Sequence, residues 1–294
     1  MGAVSEESGV VRLVVAQVNE VHGLDFGVGR RLPGGYQSGA YQLFSRSHGR
    51  AVLKITTDSA WVPRVLAAEP LVERARRAGW PTPAWLAVGV TPQGWAYCVQ
   101  DWVDGSAIGG LDEVGVDAVV ELVEGQAGLA PPTGVDWQAY NRRVVFDGDG
   151  AVADRVAASG PAGAQIVGRF QALCAQHPDL ITGPVDLVHG DLSTANLLVR
   201  AGRIVAVVDV EALGKGHRVS DYACLLREGY MDGADRHLLR RLRAVAEAGA
   251  GPGALAISCA ATAFLVAGFV LEHLPRRWPD KCTGLLDLVA DLGG

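Results

Sequence analysis

The residues best suited to chemistry lie in one stretch, Leu187-Val188-His189-Gly190-Asp191-Leu192-Ser193-Thr194-Ala195-Asn196-Leu197-Leu198-Val199. An apolar entry leads into His-Gly-Asp, Asn196 follows after four intervening residues, and an apolar run closes the stretch. Thirteen positions beyond Asn196 stands Asp209, at the end of Ile204-Val205-Ala206-Val207-Val208, with Glu211 two positions further on. A carboxylate, an amide oxygen and a second carboxylate at the ends of short apolar runs are what phosphoryl transfer from a nucleotide requires. One carboxylate accepts or orients the proton of an acceptor hydroxyl. The other oxygens hold divalent ions that bridge the phosphates. Strand ends joined by short turns fix such oxygens more firmly than free loops do. The first part of the chain offers a matching cation. Only three lysines occur (54, 215 and 281) against 23 arginines, and Lys54 is the only lysine among the first 214 residues. A compact ammonium reaches between α- and β-phosphates where a wide guanidinium fits less well.

The elements that must position these groups change character near residue 104. Apolar residues at helical spacing occupy 8–21. Short strand-like runs follow at 26–32, 40–44 and 50–55, separated by Pro33-Gly34-Gly35 and Ser47-His48-Gly49. A helical stretch at 62–78 ends at Gly79, Pro81 and Pro83, and two more strands at 85–90 and 95–103 flank Thr91-Pro92-Gln93-Gly94. The first 104 residues therefore predict a five-stranded antiparallel sheet with one interposed helix. Beyond Asp104-Gly105-Ser106 the pattern is mainly helical, at about 113–128, 162–177, 233–248, 254–273 and 284–291, with two short strands at 196–199 and 204–208. Charge divides at the same place: residues 1–104 carry a balance of +1 and residues 105–294 a balance of −7.

The His-Gly-Asp segment resembles the catalytic loop of the aminoglycoside phosphotransferase family, relatives of the protein kinases. Val207-Val208-Asp209-Val210-Glu211 resembles that family's strand ending in a metal-binding aspartate, and Gly214-Lys215-Gly216-His217-Arg218-Val219-Ser220-Asp221-Tyr222-Ala223 resembles its G-x-G-D-P-x-x-D-L-A stretch. His217 and Arg218 depart from the usual Asp-Pro. The resemblance implies an α+β, bilobal, protein-kinase-like fold: residues 1–104 form a nucleotide-binding lobe with a hinge at about 99–105, and 105–294 form a helical lobe carrying the catalytic loop, metal site and acceptor site. It makes Asp191 the catalytic base, Asn196 and Asp209 the ligands of Mg2+, and His189 a brace of the loop. Ala51-Val52-Leu53-Lys54 resembles the strand with the phosphate-contacting lysine, whose partner is expected on the following helix at Glu69, with Glu73 one turn later as the alternative. Leu32 to Tyr41 resembles the nucleotide-positioning loop, where Gly34 and Gly35 allow close backbone approach and Ser38 donates to phosphate. In Val99-Gln100-Asp101-Trp102-Val103 the carbonyl of Asp101 and the N–H of Val103 are expected at the adenine edge, with Val52 and Leu198 on the two faces of the ring. Asp221 is expected to tie the loop backbone together. Glu211 is left between the metal and the acceptor.

Composition bounds the rest. The 294 residues carry a net charge of −6, which argues against nucleic acid as partner. Five scattered cysteines form no C-x-x-C, so neither a disulfide framework nor a zinc site is expected, and a reducing cytoplasm is the natural compartment. The run from Ala254 to Leu271 is uncharged but rich in alanine and reads as a buried helix rather than a membrane span. The expected partners are a nucleoside triphosphate, ATP or GTP, with Mg2+, and a small hydroxyl-bearing acceptor. An antibiotic is the first reading, since the acidic second half would attract a polycationic amine. A metabolite of the choline, sugar, homoserine or fructosamine type is the alternative. A catalytically inactive binding module is a third reading, disfavoured by the presence of Lys54, Asp191, Asn196 and Asp209 together. A protein kinase is disfavoured by the lack of a long activation segment and A-P-E after Asp209.

Overall fold

Along Gly49–Thr56, Ala51, Leu53 and Ile55 are buried while Val52, Lys54 and Thr56 alternate with them on the other face. This period of two is what a strand covered on one side produces. A computed structural model describes residues 2–33, 38–177 and 185–294. The chain divides into two compact units, Met1–Asp104 with Ala206–Ala212, and Gly105–Val205 with Leu213–Gly294.

The first unit is built on a sheet of β1 (Gly27–Arg31), β2 (Ser38–Ser45), β3 (Gly49–Thr56), β4 (Trp85–Val90) and β5 (Ala96–Asp101), ordered β1-β2-β3-β5-β4 with neighbouring strands antiparallel. Helix α1 (Gly2–His22) buries Val11, Val14, Val15 and Val18 against Leu43, Leu53, Tyr97 and Val99 on one face. The spacing of those valines, three, one and three residues, is one stripe of a helix. Helix α2 (Val62–Arg77) brings Val65 against Ala96 and Cys98 on the opposite face, which is also the face of Lys54. The sheet is thus covered on both sides. The segment Ala206–Ala212 is fastened to this unit by the N–H of Val207, which donates to the carbonyl of Pro81 at 2.6 Å.

The second unit holds β6 (Ser106–Ala107), α3 (Glu113–Glu124), β7 (Val135–Asp136), α4 (Trp137–Arg142), α5 (Val152–Ala158), α6 (Pro161–Cys174), β8 (Asp186–Val188), β9 (Leu197–Arg200), β10 (Arg203–Val207), β11 (Gly214–Gly216), α7 (Val219–Asp232), α8 (Arg236–Ala250), α9 (Pro252–His273) and α10 (Trp278–Gly293). The last two residues of β10 already belong to the first unit. Two small sheets, β10-β9-β6 and β7-β11-β8, carry the loops of interest. Helix starts follow side-chain chemistry: Asp112 accepts the N–H of Gly115 at 2.7 Å and Asp136 that of Ala139 at 2.9 Å, each satisfying a donor left free in a first turn. The helical pattern read from the sequence lacked α4, α5 and α7. Helix α7 is buried from Val219 to Arg227 without a break, its polar residues Ser220, Asp221 and Arg227 included.

Where the sequence departs at His217-Arg218, the structure supplies a substitute for the missing turn residues. The N–H of Arg218 donates to the buried carboxylate of Asp186 at 3.1 Å, its guanidinium reaches the same oxygen at 3.0 Å, and its other nitrogens grip Glu124 at 2.8 and 3.1 Å. Tyr222 donates to Glu124 at 2.9 Å. One arginine thereby links α3, β8 and α7. Helix α9 is long and apolar enough to cross a membrane, but 72% of its most apolar window is buried within the protein. It packs among α5, α6, α7 and α10, which accounts for its composition.

Candidate active site

In the first unit the ammonium of Lys54 is paired with two carboxylates, those of Asp209 and Glu211. The side chains of Lys54 and Glu211 are 13% and 12% exposed, whereas Asp209 is 51% exposed, so one carboxylate is an interior partner and the other faces outward. Burial disfavours the charged ammonium, but Glu211 and Asp209 outweigh it and hold the lysine well above its usual pKa. Behind them the thiol of Cys98, buried across the β3–β5 pair from Lys54, lies 3.9 Å from Glu211. Burial and the Glu211 carboxylate push that thiol far up, so it stays protonated. Asp209 adopts a left-handed backbone, φ 66°, which is costly for a residue with a side chain and marks a conformation held for a purpose.

The helix glutamate expected opposite Lys54 is not its partner. Glu69 is exposed on α2, and Glu73 is held by Arg76 and Arg77 at 3.0 and 2.8 Å. The buried side chains of α2 are Val65, Ala68, Leu71, Val72 and Ala75, and the carboxylates lie outside that stripe. Val52 is half-buried on the Lys54 face of β3. Asp101 ends β5, where its N–H donates to the carbonyl of Ala84 at 2.8 Å, and the N–H of Val103 donates to nothing among the described residues. Gly34 and Gly35 lie outside the described residues, as does the side chain of Ser38.

In the second unit β8 delivers the chain into His189-Gly190-Asp191, and α7 holds that loop by one face. The fully buried carboxylate of Asp221 accepts the N–H of His189 at 2.8 Å and of Gly190 at 2.9 Å, and the amide of Gln126 at 2.9 Å. Burial raises the pKa of Asp221, against the opposing effects of His189 and the three donors. Three residues along, the thiol of Cys224 approaches the carbonyl of Gly190 at 3.9 Å. Seven residues along, Glu228 accepts both the N–H and the hydroxyl of Thr194, at 2.9 and 3.0 Å. Steps of three and seven residues keep these groups on one side of a helix. Glu228 and Cys224 were not recognised as loop anchors from the sequence; their spacing from Asp221 becomes informative only once α7 is known to be a helix.

The loop itself is turned so that its reactive groups are spared structural duty. Buried His189 accepts the N–H of Asp191 on Nδ1 at 3.3 Å. The amide nitrogen of Asn196 donates to the carbonyl of Asp191 at 3.1 Å, which directs the amide oxygen to the other side. The carboxylate of Asp191 is exposed and makes no hydrogen bond among the described residues. Leu198, half-buried on β9, pairs with Ala107 of β6. We expect Asp221→Asn to leave at least one of the two loop N–H groups facing an amide NH2, at about 1–3 kcal/mol per unsatisfied group. Thermal unfolding should show a clear fall in Tm together with lower activity.

The phosphotransferase enzyme family model, APH, matches residues 28–257. The chain belongs to that family. This phosphotransferase is accordingly a small-molecule kinase that uses a hydroxyl acceptor. Its fold is that of aminoglycoside phosphotransferase APH(4)-Ia, solved as a thermostable mutant in ternary complex with AMP-PNP and hygromycin B, at TM-score 0.67 and 17% identity over 91% of this chain and 95% of that one. It is also similar to macrolide 2'-phosphotransferase MphH from Brachybacterium faecium (TM-score 0.58, 18% identity, covering 92% and 96%). A third similar structure is amicoumacin kinase hAmiN, in complex with AMP-PNP, Ca2+ and Ami (TM-score 0.64, 14% identity, covering 98% and 96%). No curated protein matches this phosphotransferase in sequence.

Proposed function

We propose that the protein transfers the γ-phosphate of ATP or GTP, with Mg2+, to a hydroxyl of a small molecule, and that the acceptor is an antibiotic. The observation that carries the reading is the loop Gly190–Asn196. Its backbone is pinned by Asp221 and Glu228, while the carboxylate of Asp191 is left exposed and the amide oxygen of Asn196 is directed away from the bond its nitrogen makes. Asp191 takes the role of base, orienting the acceptor hydroxyl and receiving its proton as the phosphoryl group departs from the nucleotide.

The donor set suits magnesium. Asn196 and Asp209 offer hard oxygens, and Mg2+ commonly takes one or two protein carboxylates and completes its shell with phosphate oxygens and water. Among the described residues no three His, Cys, Asp or Glu side chains gather as a metal cage of their own. When bound, the ion would neutralise charge on the phosphates. Lys54 is assigned to the α- and β-phosphates. The carbonyl of Asp101 and the N–H of Val103 are assigned to the adenine edge, Val52 and Leu198 to its faces, and Gly34, Gly35 and Ser38 to the phosphate loop. Five buried, unpaired cysteines favour a reducing compartment, the cytoplasm. The antibiotic reading draws on the structural relatives, which include enzymes for hygromycin B and macrolides, and on the acidic second half of the chain.

The test is nucleotide consumption, with ATP and GTP, against a panel of aminoglycosides, peptide and macrolide antibiotics, and small metabolites such as choline, sugars, homoserine and fructosamines. Stimulation by an antibiotic is the expected result. Stimulation by metabolites alone would overturn the antibiotic assignment and leave the phosphotransfer chemistry standing.

A further inference from the structure

Two half-buried arginines of the second unit each hold two carboxylates, Arg218 those of Glu124 and Asp186, and Arg243 those of Glu247 and Asp291. Arg227 on α7 is more deeply buried, at 8% exposed, and makes no hydrogen bond or ion pair among the described residues. Its Nε is shut off from solvent and unpaired, whereas the two Nη nitrogens, equally unpaired, are not shut off. The fork of the guanidinium therefore meets an opening. A buried charge in this state is strongly unfavourable unless an anion compensates it. The neighbouring acid, Glu228, does not do so, because its two oxygens are taken by the N–H and hydroxyl of Thr194. Arg227 does act electrostatically on Glu228 and on the thiol of Cys224, and the same thiol feels the carboxylate of Asp191. Cys224 also abuts the carbonyl of Gly190. Arg227 thus lies beside the catalytic loop, on the flank of the α7 face that anchors it.

We propose that Arg227 binds an oxyanion, and that this oxyanion is a carboxylate, phosphate or sulfate group carried by the acceptor. A planar guanidinium offers such a group two parallel N–H donors, a match that a lysine lacks. Asp191 takes the acceptor's hydroxyl and Arg227 its anionic end, so the acceptor is fixed at two points. An antibiotic meets this demand only if it carries an acidic group. The acceptor half of the proposal rests on the phosphotransferase reading, whereas the anion site can be read without turnover.

Thermal melting with and without sodium sulfate, at an ionic strength matched with chloride, tests the site. Arg227→Met removes the charge and fills the space, so without sulfate it should melt at least about 2 °C above the wild type. Sulfate should raise the wild-type Tm by at least about 2 °C more than that of Arg227→Met, which reports the general effect of sulfate on a folded protein. Arg227→Lys keeps the charge without the fork and should show a smaller sulfate shift than the wild type. An Arg227→Met protein that melts lower or fails to fold would mean that the guanidinium is structural, and would overturn the proposal. A sulfate shift equal in the wild type and both variants, as binding at the nucleotide's phosphate positions would give, would overturn it too. The acceptor half is tested by phosphoryl transfer from ATP to hydroxy acids, sugar acids and sugar phosphates, each beside its ester, amide or parent sugar. An anionic member should show a KM at least about tenfold below its neutral counterpart. In Arg227→Met that difference should vanish, with the change larger in KM than in kcat. If sulfate acts as expected but only neutral or cationic compounds turn over, the site holds a free anion and the acceptor assignment is wrong. If sulfate acts as expected and no compound is phosphorylated, the anion site stands and the phosphotransferase reading falls.

Discussion

Replacing Asp191 with asparagine is expected to lower kcat for phosphoryl transfer by about a hundredfold to ten-thousandfold, the range associated with loss of a positioned base. Nucleotide affinity and Tm should hardly change. The expectation follows from how the loop divides its work: the N–H of Asp191 goes to His189 and its carbonyl to Asn196, whereas the carboxylate is exposed and bonds to nothing among the described residues. Asparagine keeps the shape and both backbone bonds and removes only the basic oxygen. Steady-state kinetics beside calorimetric melting will separate the two effects. A fall in Tm of many degrees would mean that the side chain is structural after all.

Gly190→Ala should damage both stability and activity. Gly190 holds φ 85°, and a Cβ there would stand 2.0 Å from Cε2 of Trp137, a buried indole at the start of α4. Left-handed strain in a residue with a side chain costs about 1–3 kcal/mol, and forcing the indole aside adds about as much again. The indole has little room to yield, since it packs edge-on to Tyr140 at 5.5 Å and also abuts Gly214. The loop must therefore shift, and Asp191 with it. We expect a fall in Tm of several degrees and a loss of activity larger than the loss of stability explains. A protein with Gly190→Ala that melts and turns over like the wild type would contradict this packing.

The parts of the fold visible in the sequence are those with a clean period. The alternation in β3 and the valine stripe in α1 arise because one face meets the core and the other does not. Helix α7, which matters most for the loop, is buried from Val219 to Arg227 with its polar residues included, so exposure does not separate its faces; Asp221 is legible through the motif around it, whereas Glu228 reads as an isolated charge. Strands β7 and β11, of two and three residues, are too short to show any period. The His-Gly-Asp motif was legible because its chemistry is carried by residue type and spacing. The partner of Lys54 was not, because the choice among Glu69, Glu73 and Glu211 depends on which element the fold brings to β3, and Glu211 stands 157 positions away in the chain. The return of Ala206–Ala212 to the first unit is equally a property of packing.

In the proposed function Lys54, Asn196 and Asp209 serve one magnesium-bound nucleotide while Asp191 serves the acceptor. Titration of magnesium AMP-PNP into the wild type and into Lys54→Met, Asn196→Ala, Asp209→Asn and Asp191→Asn tests this most directly. The predicted pattern is a dissociation constant at least about tenfold higher in the first three variants and near the wild-type value in the fourth. Wild-type affinity in Lys54→Met, Asn196→Ala and Asp209→Asn alike would contradict it.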